Sequence, residues 1–181
     1  MEEPDPHVIR NAKAGDLQAF ESLVRRYQRD VYRFALHLTS DPSLAEDVTQ
    51  DTFVRAYRFL RRYRGDSRFS TWLFSIARNC VHDEFRRAGR RSRLSDSLEA
   101  HEVVASPADR TSDIEVREAL STLPQELLES VVIIDMFGFS YREAEQLTGT
   151  PEGTLKSRAH RGRERLVSLL GPHSEEHADE G

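Results

Sequence analysis

Residues 140–163 constrain this chain more than any other stretch: Ser-Tyr-Arg-Glu-Ala-Glu-Gln-Leu-Thr-Gly-Thr-Pro-Glu-Gly-Thr-Leu-Lys-Ser-Arg-Ala-His-Arg-Gly-Arg. Ser140 followed by Glu143 has the spacing of a capping box, which predicts a helix start. Gly149 can take the left-handed conformation that ends it. Thr150 can cap a second helix, and Pro151 suits a first turn, where no N–H is needed. The second helix carries Lys156, Arg158, Arg161, Arg163 and Arg165, with Thr154, Ser157 and His160 interleaved. A short helix, a glycine turn and a basic helix make a helix-turn-helix, whose second helix lies in the DNA major groove and reads base edges. A basic helix face is often only a solvated one, so the pattern alone leaves both readings open.

The rest of the chain is helical in pattern. Leu17, Phe20, Val24, Tyr27, Val31, Phe34 and Leu38 recur at three- and four-residue steps, predicting a helix from a cap at Asp16 to about Thr39. Asp41-Pro42 predicts the start of a second helix, reaching about Tyr63, with Ala45, Val48, Thr52, Ala56 and Phe59 inward. Arg64-Gly65-Asp66-Ser67-Arg68 reads as a loop, and Ser70 as the cap of a third helix ending near Arg87. Helices resume near Asp113 and Pro124. There Val131, Val132, Ile133, Ile134, Met136 and Phe137 are expected to form a second apolar centre. Strand alternation and internal repeats are lacking. The fold class expected is therefore all-α: two small helical domains joined by a flexible acidic linker. The expected boundaries are a disordered N-terminus at 1–7, a first domain at 8–90, a linker at 91–112, a second domain at 113–170 and a disordered acidic tail at 171–181.

Charge supports two separate contacts. The formal net charge is −5, which by itself argues against binding nucleic acid. Yet residues 55–93 hold twelve arginines against three acids, and residues 95–129 hold nine acids against two arginines. Two basic zones separated by an acidic one suggest two nucleic-acid contacts with a different role between them. No apolar run approaches the roughly 20 residues of a membrane span, and the start Met-Glu-Glu-Pro-Asp-Pro lacks a signal-peptide pattern, so a cytoplasmic location without membrane insertion is expected. Cys80 is the only cysteine and sits in an apolar stretch, so it reads as core. No phosphate-binding loop, nucleophile elbow or metal spacing occurs, so neither enzyme chemistry nor a cofactor or metal is expected. Asp47 and Asp51 lie one turn apart, but an acidic face meeting a basic partner is the better reading. His173 and His177, four apart in the polar tail, read as solvated.

Opening a duplex requires groups that hold an unstacked base and its strand. Aromatic faces stack bases, arginines hold phosphates, and a pocket can read an extruded base. Arg64, Ser67, Arg68, Phe69, Trp72, Arg78 and Asn79 supply such groups around one loop and one helix. Phe69, Trp72 and Phe74 could equally be core, a reading favoured for Phe74 and evenly balanced for Trp72.

Three motifs carry a family resemblance. Ser140-Tyr141, Gly149, Pro151 and Gly153-Thr154-Leu155-Lys156-Ser157-Arg158, with Leu123-Pro124 upstream, resemble the C-terminal helix-turn-helix of extracytoplasmic-function (ECF) sigma factors. Asp47-Val48-Thr49-Gln50-Asp51-Thr52-Phe53-Val54-Arg55-Ala56 resembles the polymerase-binding helix of sigma region 2. Phe69-Ser70-Thr71-Trp72-Leu73-Phe74-Ser75-Ile76-Ala77-Arg78-Asn79 resembles the adjoining promoter-melting segment. The motifs follow the family order and cover nearly the whole chain except linker and tails. Two positions depart from the pattern: Glu145 stands where a small residue is usual, and Thr148 where leucine is usual. The resemblance implies an alternative sigma factor. Core RNA polymerase, through its β and β′ subunits, would be bound by Asp47, Gln50, Asp51, Phe53 and Arg55. The −10 element of promoter DNA would be opened by the loop-and-helix residues above. The −35 element would be read by Thr154, Lys156, Ser157, Arg158, His160, Arg161 and Arg163. It also implies an anti-sigma factor as partner and a linker threading the polymerase channel. The competing reading is a self-sufficient helix-turn-helix regulator with an N-terminal dimerisation or sensing domain.

Overall fold

A computed structural model describes residues 2–94 and 111–170. These residues form eight α-helices, and no strand occurs among them. The first four, one short and three long, make up the first domain. Helix α1 (Pro6–Ala14) was not anticipated: Asp5 accepts from the His7 N–H at 2.7 Å, Pro6 fills the first turn, and Gly15 ends the helix at φ 102°. It lies within and just beyond the segment read as disordered. Helix α2 (Leu17–Thr39) starts on Asp16, whose carboxylate accepts from Gln18 and Ala19. Leu23, Tyr27, Val31, Phe34 and Leu38 form its buried stripe, whereas Leu17 in the first turn is 65% exposed.

Helix α3 (Pro42–Phe59) starts on Asp41 and buries Ala45, Val48, Thr52 and Ala56. Phe59, expected inward, is 43% exposed, because the chain tightens there into a 3₁₀ turn (Leu60–Arg62) and Leu60 takes the inward place. Helix α4 (Phe69–Leu94) begins one residue before the expected cap and runs past Arg87. Its first free N–H groups are not satisfied by Ser70. Glu3 accepts from the Phe69 N–H at 2.8 Å and from the Ser70 N–H at 3.3 Å. A carboxylate 66 residues away in sequence is thus the cap. Cys80 is buried beside Thr52, and burial pushes its thiol upward.

The second domain begins with α5 (Thr111–Ser121). Helix α6 (Gln125–Val131) follows and widens into a π-helical turn at Val132–Met136. Val131, Val132 and Ile133 are buried as expected. Ile134 is only partly so and Met136 is exposed, since the wider turn rotates them outward. Helices α7 (Tyr141–Thr148) and α8 (Glu152–Leu170) complete it. Gly162 lies buried where α8 crosses α6.

Phe137 does not stay in its own domain. Its ring centroid lies 5.3 Å from Phe34 of α2 and 5.4 Å from Phe74 of α4, and Phe139 lies 5.4 Å from Phe74. Four rings from both halves therefore share one core, where independent tethered domains were expected. The tether reading at 91–112 is met at its start by α4, which reaches Leu94. The remainder of that linker up to 110, and the tail 171–181 with His173 and His177, lie outside the described residues.

Candidate nucleic-acid interface

The helix-turn-helix forms as its residues dictate. Ser140 Oγ accepts from the Glu143 N–H at 3.2 Å, and Glu143 accepts from the Ser140 N–H at 2.8 Å. Gly149 ends α7 at φ 72°, and its N–H donates to the Glu145 carbonyl. Pro151 stands just before α8 rather than inside it: its carbonyl accepts the first helical bonds, from Thr154 and Leu155. Glu145, the departure from the family pattern, is solvent-exposed, while Ala144 and Leu147 supply the buried contacts. Thr148 turns its hydroxyl onto the Ala144 carbonyl at 2.7 Å.

Along α8 the candidate residues divide. Lys156, Ser157, His160 and Arg161 are exposed, and Thr154 is half-buried. Lys156 lies over the Tyr141 ring at 5.4 Å. Arg158 folds back to pair with Glu126 of α6 at 2.7 Å, and Arg163 pairs with Asp135 at 2.9 Å. The face open to a ligand is thus narrower than the seven residues the sequence suggested.

In the first domain the loop residue Arg64 is exposed, and the Ser67 carbonyl accepts from the Tyr63 hydroxyl at 2.7 Å. Tyr63, Phe69 and Trp72 form an aromatic triangle with centroid separations of 5.1–5.7 Å. Phe69 is buried in it and also packs on Tyr27. Trp72 is half-buried, leaving part of its indole open. Trp72 and Asn79 fall on one stripe of α4 by helical spacing, and Asn79 is exposed.

Two of the candidate cations are held by carboxylates. Arg68 pairs with Glu143 of α7 at 3.0 Å and with Glu3 at 3.4 Å. Arg78, 18% exposed, pairs with Glu129 of α6 at 2.9 Å, and His82 contacts the other oxygen of the same carboxylate. Glu129 is 9% exposed. Burial alone would raise its carboxyl, but the His82 hydrogen bond and the Arg78 charge outweigh this and hold it below the usual carboxylate range. For Glu143 burial is outweighed in the same way, by the Ser140 hydrogen bonds and Arg68. Sequence reasoning missed His82, though it stands one turn beyond Arg78 on the same helix. It also missed Glu3 and Glu129, whose roles exist only once the chain has folded.

The acidic helix α3 presents Asp47 and Gln50 to solvent, with Val54 and Tyr57 exposed two turns further along. Asp51 and Phe53 are half-buried. Arg55 faces inward, bridging Asp51 at 2.8 Å and Asp83 of α4 at 2.6 Å, and this contact, with Arg86, holds the Asp83 carboxyl low.

Comparison with known proteins decides the family. Residues 23–91 match Sigma-70 region 2, and residues 113–166 match Sigma-70 region 4. The ECF RNA polymerase sigma factor SigM of Mycobacterium tuberculosis is 37% identical over 174 residues, covering 94% of this chain and 86% of that protein. The chain belongs to the ECF family of RNA polymerase sigma factors. The RNA polymerase sigma-H factor of Pseudomonas aeruginosa is 32% identical, covering 94% of this chain and 96% of that one. Among solved structures, the sigma factor RpoE of Bartonella quintana, in complex with the anti-sigma factor NepR, is 30% identical with a TM-score of 0.77. That match covers 87% of this chain and 99% of that one. CnrH in complex with the cytosolic domain of CnrY is 28% identical with a TM-score of 0.72, covering 94% and 99%. The all-α, two-domain architecture is shared with these structures, and the ECF sigma chain described here is an alternative sigma factor directing transcription from promoters. No helix among its described residues is long and apolar enough to cross a membrane, and none of their His, Cys, Asp and Glu side chains cluster to hold a metal ion.

Proposed function

We propose that this ECF sigma factor divides promoter work between its two domains and docks on core RNA polymerase through α3. The observation that carries the reading is the outward face of α8, where Lys156, Ser157, His160 and Arg161 project from a correctly capped helix-turn-helix. Such a face fits the major groove of the −35 element, with arginine or lysine on guanine and the serine on either base type or a phosphate. The −10 element falls to region 2. Trp72 and the Tyr63 ring offer stacking surface, Arg64 and Arg68 offer phosphate contacts, and Asn79 and Arg78 line the same helix. Asp47 and Gln50, with the apolar Val54 and Tyr57, give α3 the acidic and apolar character that suits a basic, partly apolar partner face on the polymerase clamp. Asp51, Phe53 and Arg55 support that helix from behind. The polymerase supplies the bond-making chemistry, and the sigma chain supplies promoter choice and strand opening. An anti-sigma factor is inferred as a further partner, because the structural relatives are bound to NepR and to the cytosolic domain of CnrY.

Run-off transcription tests the reading. Core polymerase plus this chain should give promoter-specific transcripts that neither gives alone. Tight, sequence-specific duplex binding by the free chain, with no effect on core polymerase, would favour the self-sufficient regulator instead.

A further inference from the structure

Helix α1 lies outside the stretch matched to region 2, which begins at residue 23, and the functional reading above gives it no role. Pro6, Ile9, Arg10 and Lys13 stand at the i, i+3, i+4, i+7 spacing that shares one helix face. The helix packs on the 3₁₀ turn that follows α3, and Lys13 Nζ donates to the Tyr63 carbonyl at 2.5 Å. A shallow cleft of about 230 Å³ opens between helix and turn. Pro6, Ile9 and Tyr63 give it an apolar wall, and Arg10, Lys13 and Arg64 bring three cations to its rim.

The face that a helix turns toward its neighbour is ordinarily apolar. Here it carries two cations, and the facing loop adds a third. Arg68, four residues further along that loop, is paired with Glu3 and Glu143. No carboxylate among the described residues pairs with Arg10, Lys13 or Arg64. Cations gathered without a carboxylate repel one another, and an anion placed between them relieves that repulsion.

Tyr63 joins this cleft to the aromatic face already described. Its ring centroid lies 6.0 Å from Lys13 Nζ and 5.1 Å from the Trp72 ring. A strand stacked on Trp72 therefore meets the α1 cleft as it passes Tyr63. A duplex keeps its bases inside and has no use for an apolar wall, whereas an unpaired nucleotide presents its sugar and base beside its phosphate.

We infer that α1 and the turn at 60–65 form a nucleotide site for the unpaired promoter strand, in which Arg10, Lys13 and Arg64 hold a backbone phosphate and Pro6, Ile9 and Tyr63 cover the attached sugar or base. The inference rests on the assignment of the Trp72 face to the −10 element, and it extends that interface onto a helix outside the matched region. Phosphate contacts position a strand without reading it, so the site adds affinity for unpaired DNA of any sequence.

The test uses the full-length chain with Arg10→Ala, with Arg64→Ala and with both. Arg33→Ala removes an exposed arginine of α2 outside the cleft and is the control. The probe is a labelled twelve-nucleotide oligo(dT), followed by anisotropy over a series of salt concentrations, beside a random-sequence duplex of the same length. Each single cleft variant should bind oligo(dT) about threefold more weakly than the wild type, and the double variant about tenfold, with the control unchanged. The slope of log affinity against log salt should fall by about 0.7 for each arginine removed, the mark of one phosphate contact on a single strand. A merely structural role would not move that slope. Arg10→Lys should recover most of the loss, because an ammonium still serves a phosphate as a point charge. Duplex binding should change far less. Circular dichroism checks helicity, and Arg10→Gln replaces Arg10→Ala if the alanine variant loses it. Unchanged oligo(dT) affinity and slope in folded cleft variants, or equal losses on duplex and oligo(dT), would overturn the inference. Trp72→Ala measured in parallel separates the two failures. Weaker binding by Trp72→Ala with unchanged cleft variants rejects the α1 site only. Unchanged binding by Trp72→Ala rejects the stacking face, and with it the continuity on which the α1 site depends.

Discussion

Gly162 and Val131 are in direct contact across the crossing of α8 and α6: a Cβ added to Gly162 would lie 2.5 Å from Cγ2 of Val131 and 3.4 Å from the Leu127 carbonyl oxygen. In an open helix, Gly→Ala gains about 1 kcal/mol of helix propensity. Here the neighbouring methyl is buried and close-packed, so the two helices must move apart. We expect Gly162→Ala to destabilise the chain by about 1–3 kcal/mol, with Val131→Ala in the same chain recovering part of the loss. Chemical denaturation of the three variants measures it. A stabilised Gly162→Ala protein would mean that the crossing yields to an added methyl group.

Trp72 joins Tyr63 and Phe69 in one aromatic group, yet keeps part of its indole exposed beside the loop at 64–68. Base stacking on such a ring is worth about 1–3 kcal/mol. Trp72→Ala should therefore impair strand separation more than closed-complex binding. Permanganate footprinting on duplex and on pre-melted promoters checks this: the defect should shrink on the pre-melted template. Equal loss on both, or loss of helicity, would assign Trp72 to packing alone.

How far the sequence could be read depended on distance along the chain. The caps at Asp16, Asp41 and Ser140 and the turn at Gly149 depend on residues within one helical turn, and each formed where its spacing predicts. The buried stripe of α2 followed its periodicity from Leu23 onward. What escaped prediction was set by partners far away. Glu3 caps α4 from the opposite end of the domain, so Ser70 is not needed as cap. Phe137 has the composition of local core, but the π-helical turn before it carries the ring across to Phe34. Glu129 reads as one acid among nine in an acidic stretch, and only folding brings it against Arg78 and His82. Arg158 and Arg163 had the right periodicity for a groove-facing helix, while Glu126 and Asp135, which draw them aside, lie on α6 and its π-helical extension.

That division along α8 makes Arg161 the arginine best placed to read a base. Its side chain is exposed, and its Nε donates only to the Ser157 carbonyl of its own helix, at 3.3 Å. A bidentate arginine–guanine contact is worth about 1–3 kcal/mol of discrimination. Arg161→Ala should lower transcription and relax preference at one −35 position. Arg158→Ala should also lower transcription, through the loss of its α6 contact with Glu126 as well as any DNA contact. Transcription from a library of −35 variants distinguishes them. An unchanged preference profile for Arg161→Ala would remove it from the reading face.

The buried Glu129 carboxylate, held between the two domains by Arg78 and His82, also predicts a response to acid. The groups facing Glu129 are Arg78 and His82 of α4 and Gln125 one turn back on its own helix. Burial pushes the Glu129 carboxyl up, but the His82 hydrogen bond and the Arg78 charge more than reverse this, so its folded value lies below the ordinary 4.5. A carboxyl lowered on folding stabilises the folded chain above its unfolded value, and the contribution is lost as pH falls through the folded value. At neutral pH the wild type therefore keeps the full benefit, and Glu129→Gln lacks it. Removing one partner of a buried pair costs about 3 kcal/mol, because the other charge stays buried. For a chain of this size that corresponds to a melting temperature lower by about 6–12 °C. Only as the pH falls through that lowered folded value does the wild-type carboxyl take up a proton and become neutral like the amide. The gap between the two proteins should begin to narrow once the pH drops below the ordinary carboxylate value and shrink further with acid, while both lose stability through their other carboxylates. Melting curves of the two chains at matched ionic strength follow that gap. A gap that stays constant as the pH falls would show that the charge of Glu129 contributes nothing to holding the domains together.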